Sequence, residues 1–137
     1  MQFQFEVPQV GAFTVRWVRC SFDEKRKVYK HRISLHCPGG KSSFDFWGSL
    51  NDARNGKRII EGRDLAFCAY CHLTDALYYL QAKDIDDFAS EFCYQKPSEL
   101  IKAWEGCKSA SVSLSAVGMD EQEICDVVNW LSANGFC

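Results

Sequence analysis

The sequence predicts an α+β domain: an N-terminal antiparallel sheet of about four strands, covered on one face by about four C-terminal helices. Two patterns carry that reading. Residues 1–47 alternate apolar and polar with a period of two. After Gly48 the apolar residues recur at spacings of three and four. The first is the mark of a half-buried sheet and the second of amphipathic helices. The change occurs once, so strands precede helices and form one layer against the other. A length of 137 residues suits a single domain over 1–137, with 1–47 as its sheet part and 48–137 as its helical part.

The strands follow in order. Phe3, Phe5 and Val7 alternate with Gln2, Gln4 and Glu6. Phe13, Val15 and Trp17 alternate with Thr14, Arg16 and Val18. Tyr29, His31, Ile33 and Leu35 alternate with Lys30, Arg32 and Ser34. Phe44 and Phe46 alternate with Ser43, Asp45 and Trp47. The charged run from Asp23 to Lys27 suits a hairpin tip, and Pro38-Gly39-Gly40 a tight turn.

Ser49-Leu50-Asn51-Asp52 resembles a capped helical turn stopped by Asn55-Gly56. Residues 64–80 read as a helix burying Leu65, Cys68, Ala69, His72, Leu73, Ala76 and Leu77, with a break at Thr74-Asp75. Asp84 to Tyr94 reads as a short helix burying Ile85, Phe88, Ala89 and Phe92. Pro97 opens a helix that runs to about Val117 and stops at Gly118. The last runs from Asp120 to about Ser132, before Asn134-Gly135.

No run approaches the ~18 apolar residues of a membrane helix, and the N-terminus lacks the basic start of a signal peptide. The expected compartment is the cytoplasm. The eight cysteines are then expected to form no structural disulfide and hold no metal, because a reducing compartment keeps thiols reduced and a buried thiol packs as a small apolar group. Cys68-Ala69-Tyr70-Cys71-His72 spells a haem-attachment string, but it falls inside a helix. A zinc site would need further ligands, recruited from Cys20, Cys37, His31 or His36. No phosphate loop, dinucleotide fingerprint or serine-nucleophile motif is present. The chain therefore reads as a binder without catalytic residues or cofactor.

The net charge of −2 divides unevenly. Residues 1–62 carry eleven Lys/Arg against six Asp/Glu; residues 63–137 carry five against twelve. A split of this kind creates oppositely charged faces that steer partners. One candidate partner-binding face is Arg16, Lys30, Arg32 and Trp47 on the outer side of the sheet, extended by Lys25, Arg26 and Lys27. The other is Asp84, Asp87 and Glu91, at i, i+3 and i+7 of the short helix. Acids in a helix's first turn also complement its dipole. Trp130 and the C-terminal Gly135-Phe136-Cys137 are further candidates for contact area.

One string of motifs adds to this. Phe44-x-Phe46-x-Gly48-Ser49-x-x-Asp52-x-x-x-Gly56 is followed by Leu65-x-x-Cys68. Then come Asp86-Asp87-Phe88-x-x-Glu91-Phe92-x-Tyr94 and, later, Cys107. This order resembles small accessory proteins of bacteriophages and prophages, over about half the chain. The resemblance implies phage origin, a bacterial host cytoplasm and a compact sheet-plus-helices fold. It implies no catalytic residue. Proteins of that kind include inhibitors of host defence, among them anti-CRISPR proteins, which bind a CRISPR effector and block nucleic-acid access. The alternative expectation is a nucleic-acid-binding regulator that uses the basic sheet face.

Overall fold

The computed structural model describes residues 1–48, 62–91 and 96–136. The anticipated turn at Ser49–Asp52, together with Phe92, Cys93, Tyr94 and Cys137, lies outside them. Four strands form one antiparallel meander in the order β1-β2-β3-β4: β1 Gln2–Val7, β2 Gly11–Asp23, β3 Val28–Cys37 and β4 Gly40–Trp47. Four helices follow among the described residues: α1 Gly62–Gln81, α2 Ile85–Ser90, α3 Pro97–Ser115 and α4 Glu121–Ala133. The α+β expectation holds, with the helices on one face.

Each hairpin follows from its turn residues. At β2–β3 the Asp23 carboxylate accepts the backbone N–H groups of Lys25 and Arg26, both at 2.9 Å. The Arg26 backbone N–H is the main cause that holds this exposed carboxyl below its usual range. At β3–β4, Pro38 pre-sets its own φ and Gly39 adopts φ +87°, the pairing that a type II turn requires. Gly40 then lets the strand pass Val117, because a Cβ there would lie 2.7 Å from the valine Cγ1.

The inner face of the sheet is Phe5, Val7, Phe13, Val15, Ile33, Leu35 and Cys37, all buried. Burying each large apolar side chain contributes roughly 1.5–3 kcal/mol. α1 lies across β1 and β2 and supports both α3 and α4. It buries Leu65, Cys68, Ala69, His72, Leu73, Ala76 and Leu77 as the spacing predicts. The break anticipated at Thr74-Asp75 is absent. Thr74 is partly buried with its hydroxyl out of solvent, Asp75 opens outward, and the apolar period of Leu73, Ala76 and Leu77 runs past both. α4 sits over β1, where Trp130 stacks on Phe5 at 5.7 Å and Phe136 meets Phe3 at 5.3 Å. Trp130 and Phe136 thus pack partly against the sheet, and each keeps part of its ring exposed.

The cysteines divide by position. Cys37, Cys68 and Cys107 are buried, while Cys20, Cys71 and Cys125 are partly exposed. Burial pushes the Cys37 and Cys107 thiols up to about 12, which keeps both protonated; the nearby Asp75 charge adds to the effect at Cys107.

α4 opens with a capping box. The Asp120 carboxylate accepts the Glu123 N–H at 2.9 Å, and the Glu123 carboxylate accepts the Asp120 N–H at 3.0 Å. Asp120→Ala removes one half of this exchange. It is expected to cost about 1 kcal/mol, read as a lowered urea midpoint. An unchanged midpoint would show that the box adds nothing.

Candidate partner-binding faces

Among the described residues no helix packs on the outer face of the sheet, so the side chains that alternate outward there are the first candidate. The β2–β3 register is regular up to Trp17 opposite Ile33. It then shifts, and Arg19 falls opposite Arg32. One extra residue, Val18, makes a bulge there and is largely exposed. Simple alternation through 13, 15 and 17 would have placed Arg19 inside. The bulge turns it outward, which is why the sequence pattern missed it.

Three of the anticipated residues meet directly. Lys30 pairs with Trp47 across the ladder, and Arg32 pairs with Asp45. The Asp45 carboxylate accepts from Lys30 Nζ at 2.8 Å and from Arg32 at 3.0 Å. Partial burial raises the Asp45 pKa, but these two hydrogen bonds and the charges behind them outweigh it and lower the carboxyl overall. The Arg26 guanidinium lies 4.3 Å from the Trp47 ring centroid and Lys30 Nζ lies 5.2 Å from it. Arg16 stands on the same face one ladder position further along, opposite Ser34, and donates to the Gln2 side chain at 3.2 Å. Among the described strand residues, Arg16, Arg19, Lys30, Arg32 and Lys41 alternate to this face against Glu6, Asp23 and Asp45, and Asp45 is held by Lys30 and Arg32. Arg19 opposite Arg32 is a like-charge pair, which weakens a sheet by itself.

The second candidate, Asp84, Asp87 and Glu91, is less of a helix face than its spacing implied. α2 spans only Ile85–Ser90. Asp84 is its N-cap and accepts the Asp87 N–H at 2.8 Å. The Asp87 carboxylate accepts the Lys83 N–H at 3.0 Å. Glu91 stands at the C-cap. All three are exposed, but Asp84 and Asp87 are engaged in shaping the turn.

A third feature arises only from the fold. β4, α1 and α3 enclose an open cleft of about 340 Å³, lined among others by Phe44, Cys71, His72, Asp75, Ser109 and Ser113. His72 is buried, stacks on Phe44 at 4.2 Å between ring centroids, and stands 3.5 Å from Ser42 Oγ through Nε2. Burial pushes its imidazole down to about 4, so it is neutral at pH 7. Desolvation pushes the Asp75 carboxyl up to about 6, although the residue opens to the cleft. The imidazole and the Ser42 hydroxyl beside it are both buried. Among the described residues no group of three or more His, Cys, Asp or Glu is placed to hold a metal. Cys68 and Cys71 flank the cleft from α1, away from His36.

No family model matches the chain, and neither a curated protein nor a solved structure is similar to it. No helix among the described residues is long and apolar enough to cross a membrane.

Proposed function

We propose that this chain is an inhibitor of host defence of phage origin, an anti-CRISPR-type protein that binds a CRISPR effector stoichiometrically and blocks nucleic-acid access. The basic outer face of the sheet carries the proposal. Among the described strand residues, five cations against three carboxylates leave an excess of positive charge on this face, complementary to an acidic surface, and complementary fields raise association rates and reject wrong partners. The Arg19–Arg32 juxtaposition supports the same reading. It weakens the isolated sheet and is relieved when an anion sits over both side chains. The resemblance over residues 42–110 supplies the host-defence context. The acidic turn at Asp84 and Asp87 lends little support to phosphate mimicry, since its carboxylates serve the backbone.

The test uses Arg19→Glu. This change places opposite charges across the ladder and is expected to raise stability by roughly 0.2–1 kcal/mol. It is also expected to weaken effector capture in pull-downs from cells expressing CRISPR systems and to abolish phage protection in plaque assays. A more stable protein that binds less well is not what a purely structural arginine would give. Failure of the wild-type chain to recover any defence protein, with no protection of phage, would refute the proposal.

The second reading, a nucleic-acid-binding regulator, draws on Trp47 beside Arg26 and Lys30, since bases stack on aromatics flanked by cations. It requires a gel shift with DNA or RNA that weakens steeply with salt. Absence of a shift at micromolar protein and low salt eliminates it.

A further inference from the structure

The outer edge of β4 ends the sheet, and nothing among the described residues pairs with it. Gly48 donates its N–H to the Tyr29 carbonyl at 2.7 Å. In the β3–β4 register Gly48 is therefore hydrogen-bonded across to Tyr29, and the alternation carries the same role to Phe46, Phe44 and Ser42. Lys41, Ser43, Asp45 and Trp47 turn their N–H and C=O groups the other way, out of the sheet. This open row of alternating donors and acceptors borders the cleft that separates β4 from α3.

We propose that the β4 edge is a strand-addition site for an extended acidic peptide segment of the partner. The inference rests on the reading of the chain as a partner-binding protein and names the part of the partner that is held. Three features select this occupant. Donors and acceptors alternating at strand spacing are both satisfied by a polypeptide backbone, whereas a nucleic-acid backbone offers mainly acceptors. The cleft leaves room for the inward side chains of an added strand beside Phe44 and Ser109. The outward side chains would lie directly beside Lys41, Ser43, Asp45 and Trp47, with Lys30 and Arg32 one strand further in, where their two charges outweigh that of the Asp45 they hold. Acidic residues complement that surface. A second copy of this chain does not, because pairing β4 with itself brings two basic faces together.

The probe is a fluorescein-labelled eight-residue peptide alternating Glu and Val, added to the full chain. Fluorescence anisotropy reads affinity, and amide hydrogen exchange reads Ser43 and Asp45. Binding should slow exchange at both amides. Ser43→Pro deletes an outward N–H and leaves the β3 ladder intact, as edge prolines do; it should weaken binding at least tenfold. Methylating the backbone nitrogens along one edge of the peptide should do the same with the wild-type chain, which covers a Ser43→Pro chain that does not fold. Equal binding by wild type, Ser43→Pro and the methylated peptide overturns strand addition while leaving the basic-face reading to its own Arg19→Glu test. No binding at millimolar peptide, dimerisation of the chain alone through β4, or protection of these amides by an oligothymidylate instead would each overturn it as well.

Discussion

Phe13→Ala should lower the unfolding free energy by about 3–5 kcal/mol, the range for truncating a fully buried phenylalanine. Phe13 is 1 % exposed and stacks on Phe5 at 5.1 Å with the rings only 7° apart. Phe5 in turn stacks on Trp130 of α4. The ring is thus the point where β2 supports β1 and, through it, the last helix. Alanine removes both the transfer energy and the aromatic contact, and the ladder on either side limits how far neighbours can close the hole. A small domain has only about 5–15 kcal/mol in total, so the urea midpoint should fall steeply. Val112→Ala, at an exposed site on α3, serves as the control and should stay within about 0.5 kcal/mol of wild type. A Phe13→Ala loss below about 1.5 kcal/mol would mean that the aromatic stack does not join β1 to the helices as described.

The sheet and the longer helices were legible because their signal is local. Alternation in β3 places His31, Ile33 and Leu35 inside and Lys30 and Arg32 outside, and a tight turn fixes its register with β4. The spacing from Leu65 to Leu77 forces one helix face onto the sheet, so Thr74 and Asp75 have no power to interrupt it. Boundaries were less legible where capping competed with helix extension. Asp84, Asp87 and Glu91 fit a helical repeat, but Asp84 gains more by capping from outside α2 than by joining it, since its carboxylate satisfies an otherwise unpaired N–H.

The candidate faces were legible in part for the same reason. Lys30, Arg32 and Trp47 lie on two strands joined by a two-residue turn, so their meeting followed from alternation. Arg19 did not, because a single extra residue in β2 reverses the side of every residue after it. Asp45 was visible as an outward residue, but its role as the shared partner of Lys30 and Arg32 depends on register. The cleft was invisible to pattern. His72 and Ser42 are thirty positions apart, and only the packing of α1 against β4 brings the imidazole onto Phe44. On the helix, His72 looked like one more member of an apolar stripe, and by burial it is.

That burial gives the second large effect, a loss of stability in mild acid. The His72 imidazole has its pKa pushed from the ordinary 6.5 down to about 4 in the folded protein. The unfolded chain then binds the proton more readily than the folded one. The contribution of this residue is fully present above pH 6.5 and is lost as pH falls from there towards 4. A difference of this size corresponds to about 3 kcal/mol. Asp75, in the same cleft, works in the opposite sense. Its carboxyl is raised from 3.8 to about 6, so it favours folding below the lower value and loses that contribution as pH rises through the higher one. Because Asp75 opens to solvent, screening reduces its share to about 1 kcal/mol. The histidine therefore dominates, and wild type should lose a net ~2 kcal/mol from this pair between pH 7 and pH 4. His72→Gln removes the titrating ring and retains a polar group near Ser42, so the ~3 kcal/mol histidine loss disappears and only the gain of about 1 kcal/mol from Asp75 remains over that interval. Asp75→Asn should steepen the loss. Urea unfolding of all three proteins at half-unit pH steps provides the comparison. Parallel wild-type and His72→Gln curves would show that protonation of His72 is not what the fold resists, and that Phe44 and Ser42 accommodate the imidazolium in place.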